Sequence, residues 1–277
     1  MPASNWANEL AFATDLAHRA GEVLTRSYER LERIDYKSKR DVVTDADYAS
    51  EHLVIDAIRS RYPDDAILAE ESGQHAGVLR DDGSGNGRTW VIDPLDGTVN
   101  YANGIPFYCV SIGLVVEAGP VVGVILDPAR ADCYSATADG SARLNDKPIH
   151  ASPKRELSDY VVSLAVIGRG GLMRERRIAQ RIRIHRRMGS AALALVYVAN
   201  GRFDAFVQNG GLSLWDVAAA GLIAERAGAV VTSLSGGPWW NPETKGARNS
   251  VVAAPPAQHP ALLQLLAEQR TTVQARR

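Results

Sequence analysis

The stretch WVIDPLDGTVNY, Trp90 to Tyr101, carries an apolar run straight into two carboxylates, Asp93 and Asp96, with Pro94 and Gly97 shaping the bend around them. Like charges held close cost free energy unless something positive sits between them. Three more acidic clusters stand beside apolar segments: Asp45 and Asp47 in VVTDADY, Glu70 and Glu71 in LAEESG, and Asp216 in LWDVAAAG. Segment ends are where loops carry function. If these carboxylates converge, they repel one another unless they bind hard cations. The donors are oxygens with no His or Cys nearby, which argues for magnesium or manganese rather than zinc. A metal bound there would lower the pKa of a water and make a nucleophile near neutral pH.

Each cluster also has a local reading. DPLDGT fits a tight turn with a capping Asp and a Gly of special φ. Asp216 fits a helix cap before VAAAG, and capping does not exclude metal binding. Asp47 fits a first-turn acid complementing a helix dipole, and Asp45 is left to that reading. Glu70-Glu71 fits a solvated loop edge.

The elements that must position these groups can be read from periodicity and punctuation. Leu10, Ala13, Ala17, Ala20 and Leu24 recur at helical spacing, predicting a helix from about Asn5 to Arg30. A second helix runs from about Asp45 to Arg61, with Thr44 or Asp45 as cap and Pro63 beyond its end. Strands are expected at Ala66 to Ala69, Thr89 to Ile92, Tyr108 to Glu117, Val121 to Leu126, Cys133 to Ala138, Ala142 to Leu144 and Pro148 to His150, with a hairpin at Ala118-Gly119-Pro120. The second half alternates. Strands are expected at Tyr160 to Ile167, near Arg183 to Arg186, Phe203 to Val207, Ala229 to Thr232 and Ser250 to Ala253. Helices are expected at Leu172 to Arg181, Ser190 to Ala199, Trp215 to Ala227 and Pro260 to Glu268. The first half reads as helices on a mostly antiparallel sheet and the second as alternating α/β. The expected boundary gives halves 1–153 and 154–277 of one compact catalytic unit, the first with most metal ligands and the second with Asp216 and substrate-contacting segments. Gly83 to Gly87 reads as a surface loop, and the tail after Gln269 as frayed.

The 277 residues suffice for a large core, and 45% apolar with 23% charged residues is ordinary for a globular protein. A net charge of −1 does not favour nucleic acid or an anionic membrane. Cys109 and Cys133 have no metal-ligand spacing and read as buried thiols in a reducing cytosol. No signal peptide or membrane-length apolar run is evident, so a cytoplasmic protein is expected.

DPLDGTVNY followed by IPFYCVSIGL, with EES upstream and WDVAAAG downstream, resembles the inositol monophosphatase family of magnesium-dependent, lithium-sensitive phosphatases. The likeness runs from Lys37 to about Thr232. It implies an α/β (α+β layered) fold, an αβαβα five-layer sandwich of the sugar-phosphatase type. It also implies two or three Mg2+ per site, with Mn2+ as a substitute. Glu70, Asp93 and the Leu95 carbonyl would hold the first metal. Asp93 would bridge to a second held by Asp96 and Asp216, and a third would sit near Glu70. Thr98 and Asp47 would orient and activate water, with Glu71 as a further candidate of the catalytic set. Gly97, Thr98, Gly189, Ser190, Ala191, Asn209 and Asp216 would contact substrate. Lys37 is one residue closer to Asp47 than the family's lysine. Asn209 stands where inositol-specific members carry a glutamate, which weakens myo-inositol specificity.

The resemblance thus implies a phosphoric monoester hydrolase of the inositol-1-monophosphatase type, acting as a homodimer on a small-molecule phosphate ester, without membrane or nucleic acid. VNYANGIP is closer to the inositol-type pattern than to the alternatives, histidinol-phosphate or 3′-phosphoadenosine 5′-phosphate phosphatase. Fructose 1,6-bisphosphate is a further rival substrate. A different class of reading is a regulator that keeps the fold and binds RNA or RNA polymerase through the arginine-rich stretch from Arg169 to Arg187. A solvated helix face is the plainer reading of that stretch.

Overall fold

The computed structural model describes residues 6–31, 34–38, 41–77, 85–166, 170–243 and 248–267. The expected start at Asn5, Gly83, Ile167, Arg169, Glu268, the tail after Gln269 and the side chain of Lys37 lie outside the described residues.

Helix α1 (Ala7–Ser27) buries Leu16, Ala17, Ala20 and Leu24 on one stripe, as the spacing requires. A short antiparallel hairpin follows, β1 (Ile34–Ser38) and β2 (Asp41–Thr44), which periodicity did not reveal. It leads directly into α2 (Asp45–Arg61), whose cap is Thr44. Then come β3 (Ala66–Ala69), β4 (Gly73–His75), β5 (Thr89–Asp96), α3 (Thr98–Ala102), β6 (Cys109–Val116), β7 (Gly119–Asp127), β8 (Asp132–Thr137), β9 (Arg143–Leu144) and β10 (Lys147–Pro148). β3 to β10 form one eight-stranded sheet in the order β10-β9-β8-β7-β6-β5-β3-β4. Its pairs are antiparallel except β3–β5, which is parallel. The β6–β7 turn falls at Glu117-Ala118, so Gly119 and Pro120 open β7 rather than making the turn.

The second sheet has five strands: β11 (Val161–Val166), β12 (Ile184–Arg186), β13 (Ala205–Leu212), β14 (Val230–Thr232) and β15 (Asn249–Ala254), in the order β12-β11-β13-β15-β14. Between them run α4 (Gly171–Ala179), α5 (Ala191–Ala199) and α6 (Leu214–Arg226), and α7 (His259–Ala267) closes the described chain. β13 extends past Val207 to Leu212, beyond the expected end.

Burial explains the layering. α1 and α2 pack on one face of the large sheet, sharing a core with Trp90, Ile92, Ile112 and Val124. α5 and α6 are apolar almost all round, which a helix tolerates only when both sides are covered. They lie between the sheets, touching Ile125 and Tyr134 of one and Phe206 and Val251 of the other. α4 and α7 cover the outer face of the small sheet through Ile178, Leu262 and Leu266. The result is the expected five-layer α-β-α-β-α arrangement. No described helix is long and apolar enough to cross a membrane.

Candidate active site

β5 does not stop at Ile92 but continues through the acidic motif to Asp96. Its pairing with β6 shifts there: Asp93 faces Ser111 and Asp96 faces Cys109, so β5 spends one more residue than its partner. In a regular strand residues three apart point to opposite faces. The bulge, with Pro94 unable to donate a ladder bond, removes that constraint. Carboxylate oxygens of Asp93, Asp96 and Asp216 consequently lie within 4.8 Å of one another. Asp216 arrives at the first turn of α6, where its side chain accepts the Ser213 N–H at 2.6 Å. The helix-cap reading is therefore correct for Asp216, and it coexists with membership of the cluster.

The electrostatics are those of like charges crowded together in a buried cluster. Burial, then Glu70, Asp96 and Asp216, push the Asp93 carboxyl well above the ordinary range, and a hydrogen bond shared with Glu70 adds to this. Burial, then Asp96 and Glu70, do the same to Asp216. Asp96 is raised by burial but opposed by donors at the start of α5. These are the Ser190 hydroxyl at 2.6 Å and the amides of Ala191 and Ala192 at 3.2 and 2.6 Å. Oxygen-only donors that repel one another suit a hard divalent cation. The residues present therefore fit magnesium.

Beside this cluster the Thr98 hydroxyl lies 3.0 Å from Asp47 Oδ1 and 3.0 Å from the Leu95 carbonyl. Asp47 Oδ2 accepts the Thr44 amide at 2.8 Å and hydroxyl at 2.6 Å, closing a capping box. One carboxylate thus caps α2 with one oxygen and meets Thr98 with the other. Burial is the main force raising Asp47 to about 6, partly offset by Thr44, with Glu71 adding repulsion. This has a signed consequence. A carboxyl whose folded pKa exceeds its ordinary 3.8 binds more protons folded than unfolded, so it makes stability fall as pH rises from 3.8 to about 6. Asp47→Asn removes that contribution. Thermal melts of the metal-free proteins between pH 4 and 7 should show wild type losing about 2–3 kcal/mol relative to the variant.

Supporting residues that sequence reasoning passed over are now visible. Glu51, one turn beyond Asp47 on α2, accepts the amides of Glu71 at 2.8 Å and Ser72 at 2.9 Å. Ser50 donates to the Pro94 carbonyl at 3.1 Å. The signal was available as a polar stripe, Asp47, Ser50 and Glu51, at i, i+3 and i+4 of a predicted helix. Asn100 donates to the carbonyls of Phe107 and Met188, both at 2.7 Å, stitching α3 to the segment before α5.

Gly97 has φ +99°, and a Cβ there would lie 3.1 Å from both the Phe107 carbonyl and Ser190 Cβ. Gly189 has φ +84°, and a Cβ would meet the Asn100 amide at 2.8 Å. Gly189→Ala combines left-handed strain with that clash. A loss of about 2–3 kcal/mol in chemical denaturation is expected, with a weaker grip of Ser190 on Asp96.

A cavity of about 340 Å³ is lined by Asp96, Asp216, Gly189, Ser190, Ala191, Arg187 and Gln208, among others. Asn209 does not line it. On β13, Ala205 and Val207 join the outer core while Phe206 and Gln208 face the cavity, so strand alternation takes Asn209 away. The bend at Gly210 and Gly211, both with φ above +70°, lengthens the path to Asp216 and defeats counting back from it. Gln208, not Asn209, is the residue of this strand end that lines the cavity.

An inositol monophosphatase family model matches residues 5–274. The Nus factor SuhB of Pasteurella multocida is 38% identical over 236 residues, 82% of this chain and 86% of that protein. An inositol monophosphatase of Mesembryanthemum crystallinum is 35% identical over 240 residues, with the same shares. Among solved structures, the extragenic suppressor protein suhB of Bartonella henselae superposes with TM-score 0.85 at 29% identity, covering 95% of this chain and 99% of that one. An inositol monophosphatase from Anabaena superposes with TM-score 0.77 at 35% identity, covering 95% and 96%. The family match spans nearly the whole chain and the layers agree with those of its solved relatives: the chain belongs to the inositol monophosphatase family.

Proposed function

We propose that this protein is a magnesium-dependent phosphomonoesterase acting on inositol monophosphate or a related polyol or sugar phosphate. The observation that carries the reading is the convergence of Asp93, Asp96 and Asp216 beside the Thr98–Asp47 pair. Glu70, Asp93, the Leu95 carbonyl, Asp96 and Asp216 would hold two or three Mg2+, or Mn2+ in their place. Bound there, the ions supply charge neutralisation for the phosphate and acidify a water.

The rest falls to the chain's own groups. Thr98, donating its hydroxyl hydrogen to Asp47 Oδ1, keeps lone pairs free to accept a hydrogen bond from the attacking water. Asp47, with its affinity raised to about 6, holds the proton that passes through Thr98. Glu71 strengthens that proton affinity by repulsion. Gly97 and Thr98 approach the phosphate, and Gly189, Ser190 and Ala191 border the leaving group. Halves 1–153 and 154–277 act as one catalytic unit, because Asp96 from the first is gripped by Ser190 from the second.

The test is a screen with Mg2+, with and without Li+, across inositol 1-phosphate, histidinol phosphate, 3′-phosphoadenosine 5′-phosphate and fructose 1,6-bisphosphate. Lithium-sensitive release of phosphate from the inositol or sugar ester is expected. Turnover of none of the four would overturn the reading, and preference for the histidinol or nucleotide ester would redirect it. A cytoplasmic homodimer fits the same reading; exposed Leu172, Met173 and Ile184 are apolar surface that a second copy would cover. A second reading, a regulator that binds RNA or RNA polymerase, draws on relatives named Nus factor and on Arg174, Arg176 and Arg177 along α4. Steeply salt-dependent RNA binding without phosphatase activity would favour it.

A further inference from the structure

Among the described residues lining the cavity that holds Asp96 and Asp216, Arg187 is the only cation. It follows β12 and is exposed, yet it is not free to wander. Its Nη2 pairs with Glu175 of α4, and the same Glu175 oxygen accepts the Val166 amide at 2.9 Å at the end of β11. Glu175 itself is only 15% exposed. The carboxylate is thus anchored to backbone, and it tethers the guanidinium at the rim. A guanidinium has five N–H donors in a planar fork, so pairing one nitrogen leaves donors for a ligand.

The other described lining residues, apart from Asp96 and Asp216, are neutral. Gln208 reaches the cavity from β13, and its side-chain hydrogen bond to the Gly210 carbonyl is long at 3.4 Å. Ser163 and Ala165 of β11 and Phe206 of β13 also line the cavity and carry no charge. Among the described lining residues the negative groups are Asp96 and Asp216. A phosphate drawn to cations held by Asp96 and Asp216 leaves its alcohol portion the rest of this cavity, which Arg187 and Gln208 also line. A neutral polyol would meet a cation with no counter-charge of its own to offer it. An alcohol bearing a carboxylate or a second phosphate would complete a charge-assisted pair, the arrangement for which arginine is suited.

We propose that Arg187, held by Glu175, is a specificity-determining residue that selects phosphomonoesters whose leaving alcohol carries a second anionic group. This rests on the phosphatase reading above and sharpens its substrate class.

The experiment compares wild type with Arg187→Ala, Arg187→Lys and Glu175→Gln, at saturating Mg2+. The substrates are inositol 1-phosphate, whose alcohol is neutral, and 2-phosphoglycerate and fructose 1,6-bisphosphate, whose alcohols are anionic. In wild type, kcat/KM should favour the anionic pair. In Arg187→Ala, KM for that pair should rise about 10-fold or more, the range expected for losing a hydrogen bond to a charged group. KM for inositol 1-phosphate and the melting temperature should stay put, since the side chain is exposed. Arg187→Lys should retain part of the preference, and Glu175→Gln should weaken it less than the alanine variant. Added NaCl should erode the preference in wild type and not in Arg187→Ala. An equal change on all three esters, no change, or a wild-type preference for the neutral ester would overturn the proposal while leaving the phosphatase reading intact. Failure of wild type to hydrolyse any of them would overturn both.

Discussion

Asp93→Asn is expected to lower kcat/KM by about 10³-fold or more while making the metal-free protein more stable. The two effects share a cause. Asp93 is buried among Glu70, Asp96 and Asp216, and its ionised form is disfavoured by all of them. An amide of the same shape removes one repelling charge. The metal-free variant should therefore melt a few degrees higher, corresponding to about 1–2 kcal/mol. The missing charge is also the most central of the cage. Mg2+ should raise the melting temperature of wild type, by mass action on the folded state, and raise that of the variant far less. Activity assays, melts and metal titration on one pair of proteins check the three expectations. Substantial Mg2+-dependent turnover by Asp93→Asn would sink the assignment of the cage.

Thr98→Ala should cost about 10²–10⁴-fold in kcat, the usual range for a lost proton-transfer partner, while leaving the Mg2+-induced rise in melting temperature near that of wild type. That split separates it from Asp93→Asn. The Thr98 hydroxyl contacts Asp47 and the Leu95 carbonyl, both at 3.0 Å, and carries no charge of its own. Its loss should cost only about 1 kcal/mol of stability. Thr98→Ser restores the hydroxyl and should recover most of the rate. Because Asp47 is held at about 6, wild-type kcat/KM should fall as pH drops below about 6, and Thr98→Ala should lose that acid limb. Retention of both rate and limb in the alanine variant would remove Thr98 and Asp47 from the chemistry.

Much of this molecule could be read from one dimension. The α2 boundaries follow from a Thr cap and Pro63, signals that act within a few residues. The element types of the two halves follow from apolar periodicity, and the layer architecture from the family resemblance. The order of acidic clusters pointed to hard cations because oxygen donors and like charge are properties of residue type. What escaped was contact across distance and departure from a regular period. The hairpin β1–β2 and strand β4 are short, and their pairing outweighs their local pattern. Glu51 looked like an ordinary helix residue, and Asn100 carried no assignment, until their partners, 20 and 88 positions away, came beside them.

By itself, then, the chain determined its class of fold, its family and the residue types able to hold a divalent ion. Those depend on local chemistry and on motifs that survive translation along a line. Only the tertiary structure decided that Asp93 and Asp96 share a face, because that required a bulge defined by a partner strand. It alone decided that Gln208 rather than Asn209 faces the cavity, because the glycine bend breaks the count from Asp216. Direction in space is set by the neighbour across the sheet, and no stretch of sequence carries its neighbour with it.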